Sequence, residues 1–131
     1  MVPESIKVLI VDDQPRARRS LQALLATCSK VGSTQEAQNG REALQVMKTF
    51  LPDMVLMDVR MPEMDGLEAT RQIHAGWPKA RIVVVSMYPE YREAALAAGA
   101  ERFLTKGEAI DQLISMLEIP GEGTNSSPGA R

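Results

Sequence analysis

The fold of this chain is decided near its amino end, by the stretch Val8-Leu9-Ile10-Val11-Asp12-Asp13. An apolar run, mostly β-branched, stops there abruptly at two carboxylates. A continuous apolar run is typical of a parallel strand that is buried on both faces. Pro15 suits the first turn of a helix, and the apolar residues after it recur at helical spacing, at Leu21, Leu24, Leu25 and Cys28. The stretch therefore predicts a buried first strand that leads directly into a helix.

The same unit of strand, carboxylate, loop and helix recurs along the chain. Asp53-Met54-Val55-Leu56-Met57-Asp58 is a second apolar run that ends in a carboxylate, and a helical pattern through Ile73 follows it. The other predicted strands are 33–38, 82–85 and 102–105, and the other helical patterns cover 43–51, 90–98 and 110–117. This alternation predicts an α/β fold with a five-stranded parallel sheet and helices on both of its faces.

Chemically capable side chains follow four of the five predicted strands. They are Asp12 and Asp13, Asp58, Ser86 and Lys106. Because the carboxyl ends of parallel strands meet at one edge of a sheet, we expect these side chains to form a single site. Taken singly, each has an ordinary structural explanation, such as a helix cap, a turn carboxylate or a solvated charge. Taken together, three carboxylates repel one another unless a cation is present, and an all-oxygen ligand set suits Mg²⁺.

Composition narrows the range of partners. The chain has 15 Lys and Arg against 17 Asp and Glu, a net charge of −2, so it lacks the basic surplus that nucleic-acid backbones attract. A single cysteine, Cys28, and a single histidine, His74, exclude an intrachain disulfide and a Cys/His zinc cage. The apolar runs are too short to cross a membrane, and no secretory leader pattern opens the chain. We expect a cytoplasmic, single-domain protein with no direct nucleic-acid partner and no membrane partner.

Four blocks of the sequence are similar to the receiver domains of bacterial two-component response regulators. In that family's order they are VLIVDD at 8–13, DVRMPEMDG at 58–66, VVS at 84–86 and GAERFLTK at 99–106. The resemblance covers about residues 6–117, and the last block resembles receivers that are joined to LuxR-type DNA-binding domains. It implies a flavodoxin-like receiver fold with strand order 2-1-3-4-5.

The resemblance assigns a phosphorylation site to the shared strand edge. It implies that Asp58 is the phosphoacceptor and that Asp12 and Asp13 form the acidic pair around Mg²⁺. The main-chain carbonyl of Arg60 would be a further metal ligand, and Lys106 would contact the phosphoryl group. The donor would be a phosphohistidine on a sensor histidine kinase or on a phosphotransfer protein.

The resemblance also implies a switch, in which Ser86 supplies the hydroxyl and Phe103 the aromatic ring whose rotamer reports the state. Phe103 occupies a position where many relatives have tyrosine, and it could equally be a plain core residue. Gly107 occupies a position where the family often has proline. We expect the output surface on helix 4, strand 5 and helix 5, where phosphorylation would promote a partner contact or a homodimer. The protein could thus be the regulatory part of a transcription regulator. His74 and Trp77 are expected to lie away from that surface.

We assign residues 1–118 to the receiver domain and 119–131, rich in Pro, Gly and Ser, to a mobile tail or the start of a linker. Two other functions suit the same fold. An aspartate-nucleophile phosphohydrolase would need a second carboxylate two residues after its nucleophile, where Arg60 stands. A flavin-binding module would need a hydroxyl- and glycine-rich phosphate loop after the first strand, which the sequence lacks. We therefore expect a phosphoacceptor and not an enzyme.

Overall fold

The structure, a computed structural model, describes residues 5–118. The strands are β1 (Ile6–Val11), β2 (Val31–Ala37), β3 (Met54–Met57), β4 (Arg81–Ser86) and β5 (Arg102–Thr105). The helices are α1 (Pro15–Ala26), α2 (Gly40–Phe50), α3 (Gly66–Gly76), α4 (Arg92–Ala98) and α5 (Ala109–Glu118). The predicted tail at 119–131 lies outside the described residues.

The five strands form one parallel sheet in the order β2-β1-β3-β4-β5, which confirms the predicted strand order. β2 begins at Val31, two residues before the predicted start, and Val31 pairs with Ile6 of β1. The first residue of β2 is hard to predict from the sequence, because β2 is an edge strand with mostly exposed, polar residues and a glycine at its second position. Edge strands need less apolar patterning than the central strands do.

Helices cover both faces of the sheet, as predicted. Leu9 and Val11 of β1 point into one core, which also takes buried residues from α2, α3 and α4. Val8 and Ile10 point into the other core, which takes buried residues from α1 and α5. Because side chains alternate between the two faces of a strand and both faces are buried, the central strands are apolar throughout. No helix among residues 5–118 is long and apolar enough to cross a membrane.

The start of α3 rests directly on the backbone of Asp58. The side chain of Asp65 caps the helix by accepting a hydrogen bond from the main-chain N–H of Glu68 at 2.9 Å. The next residue, Gly66, donates its N–H to the carbonyl of Val59 at 2.8 Å. A Cβ atom at Gly66 would overlap the carbonyl oxygen of Asp58. A glycine is therefore required at this helix start, and the position of Asp58 depends on it.

The segment predicted as one helix over 90–98 is divided. Pro89–Tyr91 form a 3₁₀ turn, and the α-helix itself covers only Arg92–Ala98. Gly99, at φ 119°, ends the helix in the left-handed conformation, and a Cβ there would overlap the ring of His74 on α3. His74 is solvent-exposed on one side, yet its imidazole supports the end of α4. His74 was expected to lie away from the output surface, and the structure places its ring against Gly99, at one end of an element expected to form that surface.

Candidate functional site

The carboxylates of Asp12, Asp13 and Asp58 meet at the carboxyl edge of the sheet. One carboxylate oxygen from each residue lies within 4.8 Å of the others. The backbone continues the sheet pairing at this edge, since the N–H of Asp58 donates to Val11 at 2.9 Å and that of Asp12 donates to Ala37 at 3.1 Å. The ladder hydrogen bonds that define the parallel sheet thus bring two distant parts of the sequence together.

Burial and charge repulsion act together on Asp58. Desolvation is the largest effect and the neighbouring charge of Asp12 adds to it, while the ammonium of Lys106 opposes both; the pKa of Asp58 is raised to about 6. A raised carboxylate pKa means that ionised Asp58 is less favourable in this site than it would be in water. An added cation would therefore lower the pKa and stabilise the ionised cluster.

Lys106 is the only basic side chain that forms an ion pair with this cluster among residues 5–118. Its Nζ donates to Oδ2 of Asp12 at 2.9 Å and lies 3.8 Å from Oδ1 of Asp58. Burial alone would lower the pKa of Lys106, but the hydrogen bond to Asp12 and the charge of Asp58 outweigh it, so the pKa is raised. The main-chain N–H of Lys106 donates to the carbonyl of Ser86 at 2.9 Å, and the peptide to Gly107 is trans. Lys106 therefore reaches the acids from a backbone held by β4.

The two adjacent aspartates have different surroundings. Asp12 is buried, and its Oδ1 accepts from the N–H of Gln14 at 2.9 Å while its Oδ2 accepts from Lys106. Asp13 is half-buried and lines the cavity beside Asp58, and its carboxylate has no hydrogen-bond donor among residues 5–118. Of the two adjacent aspartates, Asp13 is thus the one whose carboxylate accepts no hydrogen bond among the described residues.

Ser86 and Phe103 lie on β4 and β5 behind the acids. Ser86 is buried, and its Oγ accepts a hydrogen bond from the main-chain N–H of Tyr88 at 3.1 Å. Phe103 is also buried, in the core that includes Ala95 of α4. The guanidinium of Arg92 lies 6.0 Å from the centre of the Phe103 ring. In this conformation the ring is a core residue, and Ser86 holds the loop that leads to α4.

Two bulky residues close the rim of the site. The guanidinium of Arg60 lies 4.7 Å from the centre of the Tyr88 ring, a cation–π contact. Beneath them is a cavity of about 240 Å³, lined by Asp13, Gln14, Asp58, Arg60, Met87, Tyr88 and Lys106. The cavity joins the acids to the lysine, so a small anionic group can reach both.

The donor set fits a hard divalent cation. Three carboxylates and one ammonium carry a net charge of −2 when all are ionised, and oxygen atoms supply every ligand. The carboxylate of Asp13 accepts no hydrogen bond among residues 5–118, and the pKa of Asp58 is raised by burial and by the neighbouring charge of Asp12, which a bound cation would offset. These features suit Mg²⁺, which binds one or two carboxylates and keeps its other positions for water and phosphate oxygens.

One contact of the site was not predicted from the sequence. Arg18 of α1 donates from Nη1 to the main-chain carbonyl of Asp12 at 2.6 Å. Its spacing from Gln14, one helical turn, places it above the loop that follows β1. That spacing is a weak signal, because most arginines in the first turns of helices extend into solvent.

Comparison with known proteins gives the family of this chain. Residues 8–118 match the sequence profile of the response regulator receiver domain. The chain belongs to this family, the receiver domains of two-component response regulators.

Among curated proteins, the chain is 34% identical over 116 residues to the response regulator GacA of Pseudomonas syringae pv. syringae, covering 87% of this chain and 54% of that protein. It is 35% identical over 114 residues to the response regulator protein VraR of Staphylococcus saprophyticus, covering 86% of this chain and 54% of VraR. The chain thus spans about half the length of these curated relatives.

Solved structures show the same architecture. The signal receiver domain of the putative response regulator NarL from Mycobacterium tuberculosis aligns with a TM-score of 0.80 at 31% identity, over 87% of this chain and 94% of that one. A LuxR-family two-component response regulator from Aurantimonas aligns with a TM-score of 0.80 at 29% identity, over 87% and 83% of the two chains.

Proposed function

We propose that Asp58 is the phosphoacceptor of this receiver, and that its donor is the phosphohistidine of a sensor histidine kinase or of a phosphotransfer protein. The observation that carries the proposal is the grouping of three carboxylates within 4.8 Å with Lys106 3.8 Å from Asp58, beside a cavity. With a pKa of about 6, most Asp58 carboxylate is ionised at neutral pH and can act as a nucleophile.

In the transfer, a carboxylate oxygen of Asp58 attacks the phosphorus in line with the bond from phosphorus to the imidazole nitrogen. That bond breaks, the nitrogen leaves with the electron pair, and an acyl phosphate forms on Asp58. Lys106 would stabilise the negative charge that develops on the phosphoryl oxygens, because its ammonium can move towards them from Asp12.

Mg²⁺ would be held by the carboxylates of Asp13 and Asp58 and by the main-chain carbonyl of Arg60, with Asp12 holding a metal-bound water. When bound, the ion supplies positive charge to the phosphoryl oxygens. The free lone pairs of Asp13 support this division, because both carboxylate oxygens of Asp12 already accept hydrogen bonds from the chain.

Phosphorylation would then switch the packing behind the site. The Oγ of Ser86 accepts from Tyr88, and its O–H can donate to a phosphoryl oxygen; a movement of Ser86 towards that oxygen would loosen the loop that leads to α4. Phe103 would follow by changing its packing under α4. The surface of α4, β5 and α5 would transmit the phosphorylation state, by forming a phosphorylation-dependent homodimer or a contact with another protein.

We infer that the chain serves as the regulatory part of a transcription regulator. Relatives about twice as long as the matched region include the transcriptional regulatory proteins MctR and DegU. The chain itself carries a net charge of −2, so DNA contact would be made elsewhere. A cytoplasmic location suits this role. A phosphohydrolase function is not favoured, because it needs a second carboxylate two residues after Asp58. Arg60 occupies that position and stacks on Tyr88.

The test is phosphorylation by acetyl phosphate with Mg²⁺, followed by intact-mass spectrometry. One phosphoryl group, about 80 Da, should be added to the wild type and none to Asp58→Asn. Asp65→Asn is the matched control, because asparagine caps a helix as well as aspartate does and Asp65 lies only on the rim. Addition to Asp58→Asn, or continuous phosphate release without accumulation of the phosphoprotein, would reject the proposal.

A further inference from the structure

Arg18 joins the ends of two strands beside the acidic site. Its side chain is only 15% exposed, although it lies near the start of α1. Nη1 donates to the main-chain carbonyl of Asp12 at 2.6 Å, and Nε donates to Oε1 of Glu36 at 2.7 Å. The guanidinium thus bridges the end of β1 and the end of β2, and both bonds are short, as expected for a charged donor.

Further hydrogen bonds hold this arginine in place. Oε2 of Glu36 accepts from Nε2 of Gln22 at 2.8 Å, and Oε1 of Gln22 accepts from the hydroxyl of Thr34 at 2.7 Å. The bond from Gln22, together with Arg18, lowers the pKa of Glu36 and keeps the carboxylate ionised. An isolated surface pair would contribute little, but a network with several partners restricts the guanidinium to one position.

The carbonyl that Arg18 holds belongs to the peptide between the two adjacent aspartates. A peptide unit is planar, so the direction of the Asp12 carbonyl determines where the following Cα atom lies. On the other side of Asp13, the N–H of Gln14 is bound by Oδ1 of Asp12. The carboxylate of Asp13 accepts no hydrogen bond among residues 5–118, so the hydrogen bonds that position this residue are those to the backbone groups on either side of it.

The start of α1 supplies no other side-chain support for this loop. Gln14 occupies the cap position without a side-chain cap hydrogen bond. Glu36 also balances the charge of Arg18, so the network holds the loop without adding net positive charge next to a cation site.

We propose that Arg18 is a positioning residue for Asp13: by holding the Asp12 carbonyl, it directs the Asp13 carboxylate towards Mg²⁺. This inference rests on the proposed function, in which Asp13 is a direct metal ligand. Outer residues that orient metal ligands typically change metal affinity by about 10–100-fold when they are removed.

The first experiment is a calorimetric titration with Mg²⁺ alone. Arg18→Ala should weaken binding by about tenfold. Arg81→Ala is the control, because Arg81 also forms a short pair, with Glu101 at 2.9 Å, but lies at the opposite end of β4. Arg18→Lys keeps the charge but carries all its donors on a single nitrogen and cannot bridge both partners as a fork, so its affinity for Mg²⁺ should be intermediate. If Arg18→Ala does not fold, the comparison of Arg18→Lys with the wild type still tests the proposal.

The second experiment needs no metal. Amide hydrogen exchange in EDTA should become faster at Gln14 in Arg18→Ala, because the loop is no longer held, and should stay unchanged there in Arg81→Ala. A merely stabilising arginine would lower the unfolding temperature without this local change.

The outcomes separate the two proposals. Weak Mg²⁺ binding by Asp13→Asn with wild-type binding by Arg18→Ala overturns the role of Arg18 and leaves the proposed function standing. The same holds if Arg81→Ala weakens binding as much as Arg18→Ala does, or if Arg18→Ala binds Mg²⁺ more tightly. Wild-type binding by Asp13→Asn would instead reject the metal site on which the inference rests.

Discussion

The ammonium of Lys106 donates its short hydrogen bond, 2.9 Å, to Asp12 and stands 3.8 Å from the proposed phosphoacceptor, Asp58. Lys106 therefore neutralises one acid of the site while it remains within reach of another. A phosphoryl group on Asp58 carries nearly two negative charges and competes with Asp12 for the ammonium. This relationship, together with the electrostatics of the three acids, leads to the predictions that follow.

The first prediction concerns the pH dependence of stability without metal. Because the folded-state pKa of Asp58 is raised to about 6 from 3.8, the folded protein binds more protons than the unfolded chain between these values. The contribution of Asp58 is therefore most favourable below pH 4 and is lost as the pH rises through 6, by on the order of 2–3 kcal/mol.

Asp58→Asn removes this ionisation. In EDTA, the variant should unfold at a higher temperature than the wild type at pH 7, and the difference should disappear near pH 4. Asp65→Asn, at an exposed helix cap, should not show this pattern. A constant difference between Asp58→Asn and wild type from pH 4 to pH 7 would contradict the electrostatic account.

The second prediction separates the two adjacent aspartates by metal affinity. Asp13→Asn should weaken Mg²⁺ binding by about tenfold or more, because it removes a direct carboxylate ligand with free lone pairs. Asp12→Asn should weaken it less, because the chain already occupies both oxygens of Asp12. Equal losses in a calorimetric titration would show that the two residues share one role.

The third prediction concerns the close approach of Gly66 to the Asp58 carbonyl. Gly66→Ala should destabilise the protein by about 3 kcal/mol, since its Cβ would overlap backbone that cannot move freely. Gly76→Ala, at the other end of α3, is the matched control because nothing lies within 4 Å of its added Cβ. It should be neutral or stabilising by up to about 1 kcal/mol. Similar denaturation curves for both variants would contradict the steric argument.

Much of the fold follows from the sequence, because the central strands are buried on both faces and show it as continuous apolar runs. The strand ends also predict which side chains converge, since a parallel sheet leaves few alternatives for Asp12 and Asp58. The edge strand β2 is less predictable, because its exposed polar residues are held by pairing with β1 and not by burial.

Contacts between distant side chains are the part that sequence patterns miss. The bond from Arg18 to the Asp12 carbonyl depends on Glu36, which lies in another strand and carries no local signal. The contact of His74 with Gly99 depends on how α3 packs against α4. Both are tertiary contacts, which depend on how separate elements pack and not on a periodic pattern within one element.

The fourth prediction concerns the lifetime of the acyl phosphate. Hydrolysis needs a water in line with the bond to Asp58, and the stacked Arg60 and Tyr88 stand at the rim where that water enters. An exposed cation–π contact is worth about 0.5–1 kcal/mol, so Arg60→Asn or Tyr88→Ala should shorten the lifetime by about two- to fivefold.

Decay of the phosphorylated mass with time measures this lifetime. Arg71→Asn, which alters an exposed arginine on α3 away from the rim, should decay like the wild type. Unchanged decay in both rim variants would rule out shielding by the stacked pair.

The last prediction concerns the output surface. Phosphorylation should strengthen self-association or a partner contact through α4, β5 and α5 by about 1–3 kcal/mol, a typical coupling between two sites. The short α4 is the element most able to move, because it has only seven residues and begins with a 3₁₀ turn instead of a capped helix. Light scattering with and without acetyl phosphate measures the association, and hydrogen exchange locates the change.

Ser86→Ala and Lys106→Ala should lose the effect, because the Ser86 hydroxyl holds the loop before α4 and the Lys106 ammonium is the positive charge nearest to Asp58. Trp77→Phe is the control, since Trp77 lies at the end of α3 beside Leu51, at the other end of the molecule. His74→Ala should weaken the coupling without abolishing it, because α4 loses the ring against which Gly99 rests. Exchange changes confined to α1, α2 and α3 would contradict this assignment and place the output surface on another face.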